Sequence, residues 1–584
     1  MDRLGRRPVA LRAKRAGRWA DISYRQMADQ VQDLSIGLQE LGVRRGNRVA
    51  ILSENRPEWA IADYACLAAR CTDVPIYPTL PARQVEYILR DSGAVAIVVS
   101  NAAQLAKVTG IRSRLPALAH IIVLDEAATS PDVVHFDQVL SRGRVARDRH
   151  PGWREAALEV VEDDLATLIY TSGTTGDPKG VMLSHGNIAS NVTTSVALFT
   201  FTAEDECLSF LPLSHIFERM FGHYCMFHVG VVINYAESVE TVPADMGEIR
   251  PHLMASVPRL YEKMYARVLD TVRTSSPLRR RIFAWARDVG ERWAEATIAG
   301  RPISPALRLQ HVLADRLAFA KVRARTGGRV RFFISGGAPL SPDIARFFYA
   351  AGLPILEGYG LTETSPVMAV NTFSHHRLGT VGKAIPEVEI RIAPDGEIVT
   401  RGPNVMCGYW NKPEATAEAI DEERWFHTGD IGLIDADGYL SITDRKKDLI
   451  VTAGGKNIAP QPIENLAKTS KFVSNAVMIG DRRPFPIMLV VPNEGQVKGW
   501  VEHKGLPTGD LERMVANADV RQKIEREVRM TLRDLAQFEM PKKLLILTKD
   551  FSVEAGELTP TLKVRRRIVE EHHRAAIEAL YGER

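Results

Sequence analysis

The stretch Tyr170–Gly180, YTSGTTGDPKG, is the most informative part of the sequence. It follows the apolar run Leu165–Tyr170, which predicts a β-strand, and it precedes a helical segment predicted to begin near Asn187. Glycines let the backbone turn its N–H groups toward an anion, while hydroxyls and a lysine add donors and charge. The stretch therefore predicts a polyphosphate site more strongly than a plain surface loop. Its hydroxyl, glycine and lysine residues are Thr171, Ser172, Gly173, Thr174, Thr175, Gly176, Lys179 and Gly180.

The stretch is not a Walker motif, because Gly180 follows the lysine where that motif has Ser or Thr. On its N-terminal side the pattern alternates between helices and short apolar strands. Tyr24–Gly42 has helical spacing, and Arg48–Leu52, Val95–Val99 and Ile121–Leu124 read as strands. Strands separated by helices predict βαβ units and a parallel sheet.

The segments that flank this α/β region have a different pattern. Pro8–Arg12 and Trp19–Tyr24 predict a hairpin near the N-terminus. On the C-terminal side, strands dominate from about residue 386 to 443 and are broken by Asp395-Gly396 and Asp437-Gly438, which are hairpin signals. A smaller α/β segment follows, so we predict a domain boundary near Asp444–Lys447.

The composition is that of an ordinary globular protein. The chain has 584 residues, of which 45% are hydrophobic and 25% charged, which argues against disorder, collagen and coiled coil. No apolar run approaches the roughly 20 residues of a membrane span. The net charge of +4 is too mild to require a nucleic-acid partner. Five cysteines without zinc spacing predict free thiols in a reducing cytoplasm.

Two segments leave alternatives open. Met1–Arg18 is rich in arginine with a single acid, Asp2, so a transit peptide is possible, although an ordinary N-terminus is the better interpretation; the lack of an apolar core argues against a secretory signal peptide. The segment 267–331 reads as helical and holds fifteen Lys/Arg against five Asp/Glu. It is either a set of solvated helix faces or a surface for an anionic partner, such as a membrane.

Three further motifs carry functional side chains. Ile355–Pro366, ILEGYGLTETSP, offers a glycine-flanked tyrosine for stacking on a base and a carboxylate for Mg2+. Trp425–Gly432, WFHTGDIG, places Asp430 on a glycine-rich turn, where it could accept from vicinal ribose hydroxyls or merely stabilise the turn. In Gly556–Arg567, GELTPTLKVRRR, Lys563 follows a proline-containing loop, although composition alone favours a solvated basic run.

Taken together, these motifs resemble the AMP-forming acyl-CoA synthetases of the adenylate-forming superfamily over nearly the whole chain. DRKKDLI, Asp444–Ile450, is similar to the hinge of that family. Four finer motifs are similar to those of the long-chain fatty acyl-CoA synthetases: LPLSHIFER at Leu211–Arg219, SVPRLYEKMY at Ser256–Tyr265, FFISGGAPLSP at Phe332–Pro342 and GGKNIAPQPIEN at Gly454–Asn465.

The resemblance implies an α/β fold. A large N-terminal domain, residues 1–444, would combine doubly wound sheets with a small β-barrel-like part and would contain the basic helical insert 267–331. A small mobile α/β C-terminal domain, residues 445–584, would carry the catalytic lysine. The implied activity is ATP-dependent ligation of a long-chain fatty acid to coenzyme A through an acyl adenylate, with release of AMP and pyrophosphate.

The resemblance also assigns roles to individual residues. Lys563 would bridge the fatty carboxylate and the α-phosphate, Thr362 would bond the α-phosphate, and His215 would face the acyl carboxylate. Thr171 and Glu363 would ligate Mg2+. Thr171–Lys179 would bind the β- and γ-phosphates, and Asp430 and Arg445 would bind the ribose. The residues that line adenine would be Gly336, Gly337, Ala338, Pro339, Glu357, Gly358, Tyr359 and Gly360. Lys447 would stand at the hinge, and Gly454, Gly455 and Lys456 would border the CoA channel.

Two residues depart from the pattern of the family, and two alternative functions are weighed against the implied activity. Leu562 stands where the family usually has a glycine before the lysine, and Arg219 stands where some members have an aromatic gate to the acyl tunnel. A fatty acyl-AMP ligase that delivers its acyl group to a carrier protein is the alternative enzyme. A non-catalytic relative is disfavoured, because Lys179, Glu363 and Asp430 are all present alongside Lys563. The predicted partners are a fatty acid, ATP and CoA; peripheral association with an anionic membrane is a weaker hypothesis.

Overall fold

The computed structural model of the chain describes residues 4, 7–171, 177–453, 456–552, 555–559 and 564–582. The chain divides into two compact units. The first comprises Met1–Arg391, Val399–His427 and Ala436–Tyr439, and the second comprises Ile392–Ile398, Thr428–Asp435 and Leu440–Arg584.

The first unit contains a nine-stranded sheet whose central strands are parallel, as the βαβ pattern predicts. The predicted N-terminal hairpin forms one edge and turns at Ala16-Gly17. In spatial order the strands are β16 (Lys383–Ala384), β15 (Val367–Val370), β14 (Ile355–Gly360), β13 (Phe332–Ser335), β12 (Leu253–Ser256), β10 (Glu206–Ser209), β11 (Val232–Tyr235), β1 (Leu11–Arg15) and β2 (Arg18–Ile22).

A second sheet of this unit has eight strands. Its inner strands β3 and β5 are almost wholly buried, which explains why they read as continuous apolar runs. In spatial order the strands are β19 (Gly408–Tyr409), β9 (Lys179–Ser184), β8 (Leu165–Thr171), β4 (Thr72–Ile76), β3 (Arg48–Leu52), β5 (Ala96–Val99), β6 (His120–Val123) and β7 (Val133–His135).

The first helix of this unit begins at a side-chain cap. Ser23 accepts from the N–H of Gln26, whose side chain accepts from the Ser23 N–H, so this capping box starts the first helix. The helices are α1 (Tyr24–Glu40), α2 (Pro57–Ala68), α3 (Ala82–Ser92), α4 (Ala102–Thr109), α5 (Phe136–Ala146), α6 (Trp153–Leu158), α7 (His185–Leu198), α8 (Met226–Val229), α9 (Val242–Ile249), α10 (Pro258–Arg273), α11 (Pro277–Ile298), α12 (Pro305–Ala314), α13 (Ala320–Ala324), α14 (Pro342–Ala350) and α15 (Pro413–Ala419).

Two π-helical stretches interrupt this pattern, at Glu218–Cys225 and Asp315–Phe319. The second lies in the basic insert 267–331, which is helical as predicted and consists mainly of α10–α13. The insert packs on α14 through aromatic contacts, with the ring centroids of Phe283 and Phe347 6.1 Å apart. No helix of the part of the chain that the structure describes is both long enough and apolar enough to cross a membrane.

Four strands occupy the β-rich segment in which the chain alternates between the two units: β17 (Glu389–Ile392), β18 (Glu397–Arg401), β20 (Phe426–Ile434) and β21 (Leu440–Arg445). Both predicted Asp-Gly pairs lie at turns between consecutive strands, with Gly396 at φ +88° and Gly438 at φ +84°. These positive φ values explain why glycine stands at both positions.

The rest of the second unit is a small α/β structure around the strands β24 (Val473–Ile479), β25 (Ile487–Pro492) and β26 (Lys543–Ile546). A short pair, β22 (Ile450–Val451) and β23 (Asn457–Ile458), precedes them. The helices are α16 (Pro460–Ala467), α17 (Glu494–Lys504), α18 (Leu511–Ala516), α19 (Ala518–Thr531), α20 (Arg566–His572) and α21 (Arg574–Gly582). The α/β class predicted from the sequence is confirmed.

Candidate active site

The predicted phosphate loop joins two paired strands. Strands β8 and β9 are antiparallel, and Thr171 at the end of β8 pairs with Lys179 at the start of β9. The sequence analysis did not predict β9, and helix α7 begins at His185, two residues before the predicted start. The loop residues Ser172, Gly173, Thr174, Thr175 and Gly176 lie outside the described residues, so the structure gives only the two residues that flank them.

A tyrosine connects the lysine of this hairpin to the predicted Mg2+ ligand. The Nζ of Lys179 lies 4.7 Å from the ring centroid of Tyr409, and the Tyr409 hydroxyl donates to Oε1 of Glu363 at 2.9 Å. Strand β19 brings Tyr409 there by pairing with β9, opposite Val181. Burial and the Glu363 carboxylate raise the pKa of Tyr409, which therefore stays a neutral donor.

The backbone also fixes Glu363. It lies in a single 3-10 turn, Thr362–Thr364, and its carbonyl accepts from the N–H of Met406 at 2.8 Å. Among the described residues, no three His, Cys, Asp or Glu side chains converge into a metal cluster. Mg2+ needs no such cluster when one or two protein oxygens act together with substrate phosphates. The donor set of Thr171 and Glu363 fits that requirement.

Two segments are predicted to line adenine. One follows strand β13, and the other belongs to the neighbouring parallel strand β14. Ser335, the last residue of β13, pairs with Glu357 in β14, and Gly336 to Pro339 follow directly after β13. Glu357 Oε2 accepts from the N–H of Leu340 at 3.3 Å, which ties the loop to β14. Gly358, Tyr359 and Gly360 belong to β14 and pair with β15, and Tyr359 is buried.

Glu357 is the most perturbed carboxylate of this region. Its residue is only 7% exposed, and burial raises its pKa to about 8. A carboxyl that is neutral near physiological pH can donate as well as accept, which suits the edge of a nucleobase.

His215 lies in the loop before the π-helix Glu218–Cys225. Its Nδ1 accepts from the N–H of Phe217 at 3.1 Å, so the ring proton of a neutral His215 is on Nε2. The ring of Phe217 covers Gly336: a Cβ at that glycine would lie 3.2 Å from the Phe217 ring. The structure thus places the His215 loop beside the start of the predicted adenine loop.

Arg219 is fully buried and fills the position of the expected gate. It forms ion pairs with both Asp63 and Asp73, and it donates to the Thr167 hydroxyl at 2.9 Å. Burial, together with the nearby Asp73, raises the pKa of Asp63, and Arg219 opposes that rise. Arg219 is therefore held inside the fold by two carboxylates and does not act as an aromatic gate.

A largely apolar cavity of about 530 Å³ lies next to this ion cluster. Tyr224 belongs to both, because it lines the cavity and donates to Asp63 Oδ2 at 2.9 Å. The other lining residues are Leu4, Tyr64, Leu67, Ala166, His185, Ile188, Ala189, Val192, Thr193, Phe227 and His228.

In the second unit, the two predicted ribose residues are neighbours. Asp430 in β20 pairs directly with Arg445 in β21, and Arg445 Nε lies 3.2 Å from Asp430 Oδ1. The Asp430 N–H also donates to the Thr428 hydroxyl at 3.1 Å. The strand register therefore builds a carboxylate and a guanidinium into one small site.

Next to this pair lies a lysine that the sequence analysis missed. Lys446 Nζ lies 2.6 Å from Asp395 and 3.0 Å from Glu397, and Glu397 accepts from the N–H of Gly429 at 2.8 Å. The predicted hinge residue Lys447 follows it and is exposed. The burial of Asp444 raises its pKa to about 6.

The structure leaves several predicted residues undescribed. Lys563, Gly454 and Gly455 lie outside the described residues. The residues that flank Lys563 are fixed, since Leu558 and Val564 form an antiparallel bridge and the Arg565 N–H donates to Glu557 O at 2.7 Å. Lys456 is exposed, and its Nζ lies 5.8 Å from the ring of Phe538.

Comparison with known proteins gives consistent matches over the whole chain. The model of the AMP-binding enzyme family matches residues 3–410, and that of the AMP-binding enzyme C-terminal domain matches residues 447–584. A long-chain-fatty-acid–CoA ligase, FadD15 of Mycobacterium bovis, is 38% identical over 97% of this chain and 93% of its own. The peroxisomal long chain acyl-CoA synthetase 6 of Arabidopsis thaliana is 34% identical over 96% of this chain and 82% of its own.

Solved structures show the same fold at lower identity. The anthranilate CoA ligase AuaEII, in complex with anthranoyl-AMP, superposes with a TM-score of 0.73 at 19% identity, covering 98% of this chain and 95% of that one. ATP-bound MatB from Rhodopseudomonas palustris gives a TM-score of 0.68 at 24% identity, covering 97% and 95%. The chain therefore belongs to the AMP-binding enzyme family, and within it to the AMP-forming acyl-CoA synthetases.

Proposed function

We propose that this protein ligates a long-chain fatty acid to coenzyme A, with ATP as the energy source and an acyl adenylate as the intermediate. The observation that carries the proposal is the connection of Lys179 and Glu363, the predicted phosphate and Mg2+ ligands, through Tyr409. The 38% identity to a long-chain-fatty-acid–CoA ligase supports the substrate class.

The first step activates the carboxylate, which by itself is a poor acyl donor because its leaving group would be oxide. A fatty carboxylate oxygen forms a bond to the α-phosphorus of ATP, the bond from that phosphorus to the bridging oxygen breaks, and pyrophosphate leaves with the electron pair. Most of the catalysis is positioning and charge neutralisation. Lys563 bridges the carboxylate and the α-phosphate, and His215 faces the acyl carboxylate.

Each part of the nucleotide has its own binding residues. Thr171–Lys179 bind the β- and γ-phosphates, Thr362 bonds the α-phosphate, and Asp430 and Arg445 bind the ribose. The pairing of Asp430 with Arg445 supports this last assignment, because the pair presents an acceptor beside a donor. Adenine lies against Gly336, Gly337, Ala338 and Pro339 on one side and Glu357–Gly360 on the other.

Thr171 and Glu363, together with phosphate oxygens, would hold Mg2+. When bound, it supplies positive charge to the polyphosphate. The Tyr409 hydroxyl orients the Glu363 carboxylate by donating to Oε1, which leaves the other oxygen available as a ligand.

In the second step the CoA thiol attacks the acyl carbonyl, the bond to the AMP oxygen breaks, and AMP leaves. The thiol loses its proton to a base that we do not assign. Residues 445–584 rotate about Lys447 between the two steps, so that the Lys563 loop is replaced by the segment Gly454–Lys456 beside the CoA channel.

The hydrocarbon part of the substrate requires an apolar environment. The cavity of about 530 Å³ beside Tyr224 has the lining that such a chain needs. We also propose that the protein works in the cytoplasm and associates peripherally with anionic membranes. The excess of Lys/Arg over Asp/Glu in segment 267–331 supports the membrane association.

The test is an assay of the purified full-length chain with palmitate, ATP and Mg2+. We expect pyrophosphate release without CoA, and palmitoyl-CoA with AMP once CoA is added, identified by mass spectrometry. A panel of short to very long acids in competition defines chain length. Acyl transfer to a phosphopantetheinylated carrier protein, with none to CoA, would identify the alternative acyl-AMP ligase. Absence of pyrophosphate release with every acid would refute both.

A further inference from the structure

The surface of the basic insert carries an exposed apolar stripe. Leu309, Val312, Leu313 and Leu317 are 63%, 58%, 47% and 46% exposed. Their spacing places them on one face of α12 and of the π-helical turn that continues it. Large aliphatic side chains that recur on one face are unusual on a solvated helix.

The opposite face of the same helix packs in the hydrophobic core. Ala314, Ala318 and Phe319 are buried, and the ring of His311 stacks on Trp293 with centroids 4.0 Å apart. The exposed leucines and valine are therefore not needed for packing within the first unit. They form a second, exposed apolar face on a helix whose first apolar face is buried.

Positive charge surrounds this stripe. Arg308, Arg316 and Lys321 are exposed, and none of the three forms an ion pair within the described part of the chain. Residues 305–325 contain five Lys/Arg and one acid, Asp315. That acid is paired with Arg323 at 2.5 Å, so no free negative charge in this segment offsets the three cations.

We propose that this α12 surface, formed by Arg308, Leu309, Val312, Leu313, Arg316, Leu317 and Lys321, docks the protein on an anionic lipid bilayer. The aliphatic side chains enter the boundary between headgroups and acyl chains, and the cations contact lipid phosphates. The inference deepens the membrane association stated under the proposed function and gives it a location. A second copy of the chain is a poor occupant, because two such surfaces would bring like charges together.

The experiment is vesicle flotation of the full-length protein. Vesicles of phosphatidylcholine mixed with phosphatidylglycerol are compared with pure phosphatidylcholine, at low and high sodium chloride. We expect the protein to float with the anionic vesicles at low salt and to stay at the bottom with pure phosphatidylcholine. Both Leu309→Ser/Leu313→Ser and Arg308→Gln/Arg316→Gln/Lys321→Gln should lower the bound fraction at least fivefold.

A matched control removes exposed aliphatic side chains elsewhere. Val145 and Leu158 are 75% and 71% exposed on the same unit, so Val145→Ser/Leu158→Ser should float like the unmodified chain. Equal flotation of the unmodified chain and both α12 variants, or no flotation of any of them, overturns the proposal. Sedimentation that shows a dimer abolished by Leu309→Ser/Leu313→Ser also overturns it, in favour of a protein interface.

A second readout separates this proposal from the enzymatic one. Pyrophosphate release with octanoate, a soluble acid, should be the same in both α12 variants and in the unmodified chain, which also confirms that the variants are folded. Flotation without activity on any acid would refute the enzymatic function and leave the docking surface standing. Activity without flotation would refute the docking surface and leave the enzymatic function standing.

Discussion

Arg445 and Asp430 face each other across two antiparallel strands, with the guanidinium Nε 3.2 Å from the carboxylate. The Asp430 side chain is 6% exposed and that of Arg445 is 40% exposed. A partly exposed ion pair of this kind contributes little to stability, about 1 kcal/mol or less. We therefore propose that the pair serves to bind ribose and not to stabilise the fold.

Replacement of Arg445 tests this explanation. We expect Arg445→Ala to raise the KM for ATP by roughly tenfold, since a hydrogen bond to a charged partner contributes about 1.5 kcal/mol. The urea midpoint of unfolding should change little. A large loss of stability with an unchanged KM for ATP would show that the pair is structural. Arg482→Ala, which removes a highly exposed arginine in the same unit, serves as the control.

Tyr409 should govern how Glu363 binds Mg2+. Tyr409→Phe removes the hydroxyl that donates to Glu363 and keeps the ring near Lys179, so we expect kcat/KM to fall roughly tenfold and the Mg2+ concentration for half-maximal rate to rise. Tyr581→Phe loses a comparable bond, to the Phe485 carbonyl at 3.0 Å, and should keep the same Mg2+ dependence. An unchanged Mg2+ dependence in Tyr409→Phe would contradict the role.

Arg219 should be a determinant of stability. Arg219→Met leaves Asp63 and Asp73 buried without their cation, and the expected cost is about 3–5 kcal/mol of unfolding free energy. The triple variant Arg219→Met/Asp63→Asn/Asp73→Asn removes the charges together and should recover much of that loss. Chemical denaturation of the full chain measures both. A single variant as stable as the unmodified chain would contradict the inference.

Glu357 should make stability depend on pH. Its pKa is about 8 in the folded chain against an ordinary value of 4.5, so the folded state holds a proton that the unfolded state releases. The stabilisation is complete below pH 4.5 and is lost as the pH rises toward 8. The Glu357→Gln variant carries a neutral side chain at every pH. Its free energy of unfolding, minus that of the unmodified chain, should therefore increase by a few kcal/mol between pH 4.5 and about pH 8. A stability difference for Glu357→Gln that does not change with pH would disprove the raised pKa.

The two half-reactions should separate in the C-terminal unit. Lys563→Ala should abolish pyrophosphate exchange while leaving transfer from a supplied acyl adenylate to CoA intact. Lys447→Pro, which restricts the hinge φ, should slow thioester formation more than pyrophosphate exchange, and Lys447→Ala should impair both less. Full-rate exchange in Lys563→Ala, or equal losses in Lys447→Pro, would contradict the assigned roles.

Local chemistry made several parts of the site predictable. Hydroxyls, glycines and one lysine within Tyr170–Gly180 indicate an anion site whatever the fold, because the donors are adjacent in the chain. The carboxylate of Asp430 was predictable by residue type only: its flanking glycines predicted a turn, whereas the structure places Asp430 within strand β20. Short, continuously apolar runs separated by helices predicted the parallel sheet, since strands buried on both faces show no alternation. Apolar residues that recur about every 3.6 positions indicate helices.

Other parts could not be read from local sequence. Tyr409 is far from Lys179 along the chain and is brought to it only by the pairing of β19 with β9. The motif at Leu211–Arg219 contains Arg219, but nothing in it shows that Asp63 and Asp73 will surround the guanidinium. The Gly358-Tyr359-Gly360 stretch resembles a turn, and only its pairing with β15 makes it a strand.

The sequence by itself determined the α/β class, the family and the chemical types at the nucleotide site, because these depend on side-chain identity and short-range spacing. Tertiary structure alone decided which tyrosine orients Glu363, which carboxylates hold Arg219, and which leucines of α12 stay exposed. The reason is physical. Strand register and helix packing set contacts between residues that are distant in the chain, and burial, which shifts a pKa or leaves an apolar face in water, is a property of the assembled fold.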